Sequence, residues 1–140
     1  MKKDTVPGMI VDTCSLLRPE GQRFVRLNAE QQGYRILLPL LVHNELTRFA
    51  RSHDKLKYMA AGALSQLHAA RIPCLNRIGR FANADDEIMG YCSSPENSPL
   101  YVCTEDKGLS KRIAVVNPVV RCLTAAQLSS LFGYEKRVTL

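Results

Sequence analysis

The sequence predicts an α/β fold, a three-layer α/β/α sandwich around a central, mostly parallel sheet of about five strands. Three observations predict it. Short apolar runs alternate with segments of helical spacing, and the connections between them are short, the pattern of parallel strands returned by crossover helices. The chain has 140 residues, one domain of common size, long enough to bury about two-thirds of its unfolded surface. No repeat, low-complexity tract or charge block divides it, so residues 1–140 read as a single domain.

The elements follow in order. Met9–Thr13 is a short apolar run that ends on an acid, as a buried strand does at the edge of its sheet. A helix is expected through Ser15–Gln32, interrupted near Pro19 and closed by Gly33. Arg35–Leu38 is a second apolar run between Gly and Pro. Leu40–Ser52 has helical spacing, with Leu41, Glu45 and Arg48 down one side and Val42, Leu46 and Phe49 down another. Lys55–Ala70 is a further helix, and Ile72–Leu75 a weak strand. Then come a helix at Asp85–Cys92, a strand at Leu100–Thr104, a helix at Asp106–Ile113 and a last strand at Val119–Leu123. Thr124–Phe132 closes the chain as a helix with Thr124 at its N-cap.

Composition narrows the class. Apolar residues make up 46% and charged residues 23%, which excludes a disordered or collagen-like chain. The longest strongly apolar stretch, Ile36–Val42, is too short to cross a bilayer. The MKKDTVPG start is basic, but the apolar run after it ends at Asp12, so no secretory signal is expected and the cytoplasm is the expected compartment. Five cysteines (Cys14, Cys74, Cys92, Cys103 and Cys122) form no CxxC pair, and most sit in apolar runs. They predict reduced core thiols, with neither a zinc site nor a disulfide framework.

Four short acidic motifs span the chain: MIVDT around Asp12, LVHNEL around Glu45, ADDEIM around Asp85 and Asp86, and VCTEDKGL around Asp106. Each acid follows an apolar run or lies near the start of a helical pattern, and in a parallel α/β fold such positions gather at one edge of the sheet. Each also has an ordinary explanation. Asp12, Asp85 or Asp86, and Asp106 can cap helices, although Thr13 and Ser15 offer caps equal to Asp12. Glu45 can pair with Arg48 or Arg51 on its own helix. Four such explanations at one sheet edge are less economical than one shared site. Carboxylates brought together repel one another unless a cation lies between them, which points to a divalent metal and to phosphoryl-transfer or hydrolytic chemistry. Hard oxygen ligands suit Mg²⁺ or Mn²⁺ better than Zn²⁺. His43 is expected to be packed or solvent-facing.

The net charge is +6, from 19 Lys and Arg against 13 Asp and Glu. With several acids pooled in one cleft, the remaining surface is more basic than the total suggests, which suits a polyanion held through its phosphates. Arg48 and Arg51 follow Glu45, and Lys107, Lys111 and Arg112 follow Asp106; these five are the expected phosphate contacts. Other cations stand at Lys55, Lys57, Arg71, Arg77 and Arg80. With no Trp and 6% aromatics, base stacking is expected to be limited.

The motifs IVDTCSLL, LPLLVHNELTRF, ADDEIMGYC and CTEDKGLSKR, in this order, resemble a PIN domain. That nuclease family includes the toxin ribonucleases of bacterial toxin–antitoxin pairs (the VapC type). The resemblance covers nearly the whole chain and places the family acids on Asp12, Glu45, Asp85 and Asp106. It implies a PIN-like fold and metal-dependent endonucleolytic cleavage of RNA, with Mg²⁺ or Mn²⁺ on those four residues. It also implies a possible antitoxin partner and homodimer. Cys14 stands where the family often has Asn or Ser, and Gly108 where some members carry a further acid. Asp86 and Glu105 are the substitute ligands for a second ion, and Thr104 can orient a carboxylate or a water. The rival reading is a catalytically silent PIN-like module that binds RNA or protein. A haloacid-dehalogenase phosphatase would need an Asp at position 14, and a Rossmann domain a glycine-rich loop after the first strand; neither is present.

Overall fold

The computed structural model describes residues 6–76 and 79–132; Arg77 and the basic start at Met1–Thr5 lie outside the described residues. The strands are β1 (Gly8–Val11), β2 (Arg35–Pro39), β3 (Cys74–Leu75), β4 (Tyr101–Cys103) and β5 (Arg121–Leu123). They form one sheet in the order β3-β2-β1-β4-β5, and all four neighbouring pairs are parallel. The sheet is therefore parallel throughout. In register, Ile10 lies between Leu37 and Val102, and Val11 lies beside Cys103.

The helices are α1 (Thr13–Leu16), α2 (Pro19–Gln31), α3 (Leu40–Ala50), α4 (Lys57–Ala69), α5 (Ala84–Ser93), α6 (Lys107–Val116) and α7 (Ala125–Leu128), the last running into a 3-10 turn at Ser129–Phe132. Helices α2, α3, α4 and α7 form one packed group, while α5 packs on α6. Right-handed crossovers put those groups on opposite faces of the sheet, giving three layers. Covered on both faces, the middle strands can be apolar throughout. Met9, Ile10, Val11, Leu38, Val102 and Cys103 are buried accordingly.

The chain leaves β1 towards β2 on one side and later returns to β4 on the other. The carboxyl ends of β1 and β4 thus flank the point where strand order reverses, the usual crevice of open α/β sheets. Asp12 and Thr104 are the residues that follow those two strands.

Several boundaries differ from expectation for local reasons. The expected helix after β1 divides into α1 and α2, with Pro19 at the first position of α2. The two pack so closely that a Cβ on Gly21 would stand 2.0 Å from the Ser15 carbonyl oxygen, so only glycine fits there. Helix α2 is closed not by Gly33 but by Gln32, which adopts the left-handed conformation (φ 56°) and returns its amide to Asn28. The second strand extends to Pro39, which is also the N-cap of α3. The weak strand shrinks to Cys74–Leu75 because Pro73 has no N–H to give to a ladder. Thr124 caps α7 as expected, and the Gln127 side chain accepts from the Thr124 amide at 2.8 Å.

All five cysteines are free. Burial pushes the thiols of Cys92 and Cys103 up to about 12, as core thiols. Cys74, on the short edge strand, is exposed instead. Among the described residues no helix is long and apolar enough to cross a membrane.

Candidate active site

The carboxyl edge of β1 is built around Asp12. Strand β1 delivers it to the centre of the sheet, where its amide donates to the Cys103 carbonyl at 2.8 Å. It is 6% exposed. Its Oδ1 accepts the Thr13 amide at 2.7 Å, which makes it the N-cap of α1. Its Oδ2 accepts the Thr104 hydroxyl at 2.8 Å and faces the Cys14 thiol at 3.7 Å. Thr104 thus orients a carboxylate, as its position after β4 suggests. Burial raises the Asp12 pKa, and the nearby charges of Asp85 and Glu45 raise it further, against the lowering effect of the bonds from Thr104 and Thr13.

The other hydroxyls expected to compete for the cap are used differently. Thr13 donates to Glu45 Oε1, tying α1 to α3. Ser15 donates to Glu105 Oε2 at 2.9 Å, and the same oxygen accepts the Ala125 amide at 2.7 Å. Asp12 is therefore the cap, contrary to the expected equivalence of Thr13 and Ser15. Glu105 links α1 to the start of α7. Glu45 makes no ion pair with Arg48 or Arg51 among the described residues; its recorded partner is Thr13.

The third and fourth motifs approach from the other side. Helix α5 begins at an Asn83 N-cap, whose side chain accepts the Asp86 amide at 2.9 Å. Neither Asp85 nor Asp86 is the cap, which corrects the expectation for this motif. The two acids diverge. Asp85, half-buried, has its pKa raised by burial first, then by the charges of Asp106 and Glu45. Asp86 instead pairs with Arg112 of α6 at 3.4 Å. Asp106 is the N-cap of α6, its Oδ1 accepting the Leu109 amide at 3.1 Å, and its own amide donates to the Thr104 hydroxyl at 3.1 Å. A Cβ on Gly108 would stand 3.2 Å from that Oδ1, so a side chain at this place would press on Asp106.

The charges of Asp85 and Glu45 thus act on Asp12, and those of Asp106 and Glu45 on Asp85, linking the acids of β1, α3, α5 and the β4–α6 junction in pairs. None of the four makes an ion pair with the described residues. As placed, no three His, Cys, Asp or Glu side chains among the described residues converge tightly enough to hold an ion. Glu45 is turned onto Thr13 and Asp106 onto its cap amide. The four acids offer oxygen donors alone, the chemistry that suits a hard divalent cation.

The cations are arranged unequally. Arg48 and Arg51 line an open depression of about 550 Å³ on α3 with Asn44, Thr47 and Ser52. Lys107 and Lys111 are exposed on α6, whereas Arg112 is engaged with Asp86. His43 lines a small cavity against Leu64, Leu67 and His68 of α4.

Sequence reasoning missed two residues here. Asn83 was legible, since an Asn before a run of acids is a helix-start signature. Glu87 was not. It is 2% exposed, and its Oε1 and Oε2 accept the Leu41 and Leu40 amides at 2.7 and 3.1 Å. No family model matches the chain, and no curated protein gives a significant match.

Proposed function

We propose that the protein is a metal-dependent endoribonuclease, hydrolysing RNA phosphodiester bonds at Asp12, Glu45, Asp85 and Asp106. One observation supports this most. Four acids from four separate elements stand about the reversal point of a parallel sheet, and in Asp12 and Asp85 burial first, then the charges of neighbouring acids, raises the pKa. A fold keeps such a cluster against its own stability only where function uses it.

Asp12, Glu45, Asp85 and Asp106 would hold Mg²⁺ or Mn²⁺. The ion, when bound, supplies a Lewis acid and a water of lowered pKa. Thr104 fixes the Asp12 carboxylate through Oδ2, and the Thr13 amide fixes it through Oδ1, so its direction is set before any ligand arrives. Arg48 and Arg51, at or near the end of the helix that carries Glu45, and Lys107 and Lys111, on the helix that Asp106 caps, would hold substrate phosphates. Arg112, engaged with Asp86, would join them only by giving up that pair. Glu105 spends one oxygen on Ser15 and Ala125, so a second ion would rely on Asp86 more than on Glu105. An antitoxin covering the cleft and a homodimer belong to this reading through the family resemblance alone, and a cytoplasmic setting through the chain start and the unpaired cysteines.

The second reading, a silent module binding RNA or protein, draws on the absence of a ready three-ligand cluster among the described residues. One experiment separates the two. Purified protein is incubated with structured RNA with and without Mg²⁺ or Mn²⁺, beside Asp12→Asn and Asp106→Asn. Divalent-dependent cleavage is expected, with a loss of at least about 100-fold in each variant, beyond the range typical of outer-sphere partners. Equal cleavage by wild type and both variants rejects the nuclease reading; RNA binding without cleavage supports the silent module.

A further inference from the structure

We propose that Glu87 is a positioning residue that sets the distance between Glu45 and Asp85. The inference rests on the reading of those two acids as parts of one metal site.

Helix α3 starts in an unusual way. Its N-cap is Pro39, which has no side-chain acceptor, so the first amides of the helix have no local partner. Unsatisfied and buried, such donors cost stability. Glu87 supplies what Pro39 lacks. It comes from α5, and its two oxygens take the Leu40 and Leu41 amides separately, at 3.1 and 2.7 Å. A negative group at a helix N-terminus is also favoured by the helix dipole. Glu87 is 2% exposed.

The consequence lies in where the clamp sits along each helix. Glu87 is two residues after Asp85 on α5, and Leu41 is one helical turn before Glu45 on α3. A two-point bond between the helices therefore lies within a turn of each acid. Two parallel hydrogen bonds to one carboxylate resist both sliding and rotation of α3 against α5, which a single bond does not. One turn further along α3, the Thr13 hydroxyl holds the Glu45 carboxylate itself. Glu45 is thus fixed at its helix start by Glu87 and at its tip by Thr13. Glu87 touches no substrate; it acts through the backbone that presents Glu45.

The test compares wild type with Glu87→Gln and Glu87→Ala. Glutamine keeps one acceptor oxygen and the shape, so this variant folds even where alanine does not. Mn²⁺ binding is measured by electron paramagnetic resonance without RNA, and kcat and KM for RNA cleavage are measured across Mn²⁺ concentration. Glu87→Gln is expected to need about tenfold more Mn²⁺ for half-saturation in both assays, the low end of losses for outer partners of metal ligands. KM for RNA at saturating Mn²⁺ should stay at the wild-type value, and far-ultraviolet circular dichroism should be unchanged. Wild-type Mn²⁺ affinity in folded Glu87→Gln overturns the proposal. If wild type neither binds Mn²⁺ nor cleaves RNA, it is the nuclease reading that has failed. The clamp is then judged without metal, by the rise in Tm that Asp85→Asn gives in wild-type and Glu87→Gln backgrounds. A smaller rise in the second background shows that Glu45 has moved from Asp85; an equal rise overturns the clamp.

Discussion

Two carboxylates two residues apart on α5 lead opposite lives. Glu87 points to the start of α3, where both oxygens receive backbone amides. Asp85 points to the sheet edge, accepts no hydrogen bond from the described residues, and meets the charges of Asp106 and Glu45. Both have raised pKa values, and in both burial is the first cause. The second cause separates them. For Glu87 the next contributions are lowering, from the amides; for Asp85 they are raising, from other acids. Burial of an acid is therefore not in itself a sign of function. What distinguishes Asp85 is that, after burial, the charges that raise it further are those of other acids, Asp106 and Glu45.

The sharpest way to break this contrast is to remove each acid and ask which way stability moves. Glu87→Ala strips the partner from two part-buried amides and is expected to destabilise by about 1–3 kcal/mol. Asp85→Asn removes one member of a repelling set. It is expected to stabilise by about 0.5–2 kcal/mol, as substitutions at strained functional sites commonly do. In a chain of this size each kcal/mol moves Tm by roughly 4 °C, so opposite shifts are readily resolved by calorimetry of the metal-free protein. A loss of stability in Asp85→Asn comparable to that of Glu87→Ala would mean that both acids are structural.

A smaller effect comes from pH. Asp12 and Asp85 titrate above the ordinary 3.8 in the folded chain, so folding favours proton uptake at these groups. The destabilising charge is fully present above their raised values and fades as pH falls through them; below 3.8 it is gone. Their contribution to stability therefore grows on acidification from neutrality. Glu87 shifts in the same direction from 4.5. The metal-free protein is expected to gain stability as pH is lowered from 7 into that window. In Asp12→Asn/Asp85→Asn the gain should shrink to the share left by Glu87. Denaturation by urea at successive pH values, with and without Mg²⁺, measures it. A gain as large in the double variant as in wild type would place its source outside the cleft.

The same contrast explains what was legible in the sequence. The alternation of strands and helices follows from apolar runs that end on acids, and Asp12 and Asp106 stand where that pattern puts them, whereas the strand order came only from the structure. Both are also caps, so the ordinary and functional explanations coexist in one side chain. Glu87 was illegible because its partners are 46 and 47 residues away, in backbone amides that carry no sequence signature. The one hint was Pro39, a helix start without an acceptor of its own. Gln32 in place of Gly33 reflects a helix end set by the hydrogen bond to Asn28, whose side chain also holds Tyr34. A short-range preference for glycine yields to that tertiary anchor.

Asp86 gives the finest test, because sequence alone cannot rank it against Asp85. Neighbours on a helix point about 100° apart, and here that angle sends Asp86 to Arg112 on α6 while Asp85 faces the cleft. Both partners of the Asp86–Arg112 pair are about half exposed, so its coupling energy should be about 0–1 kcal/mol and fall with salt. A double-mutant cycle of Asp86→Asn and Arg112→Ala measures it. The functional expectation is unequal. Asp86→Asn should leave RNA cleavage near the wild-type rate, since its charge is already met, whereas Asp85→Asn should lose it. Arg112→Ala acts on the cleft as well, because the guanidinium lowers the Asp85 pKa. Without it Asp85 holds its proton to higher pH, and the acid limb of the cleavage profile should move upward. Equal losses in Asp85→Asn and Asp86→Asn would make the two acids joint ligands and erase the distinction that the α5–α6 pair draws.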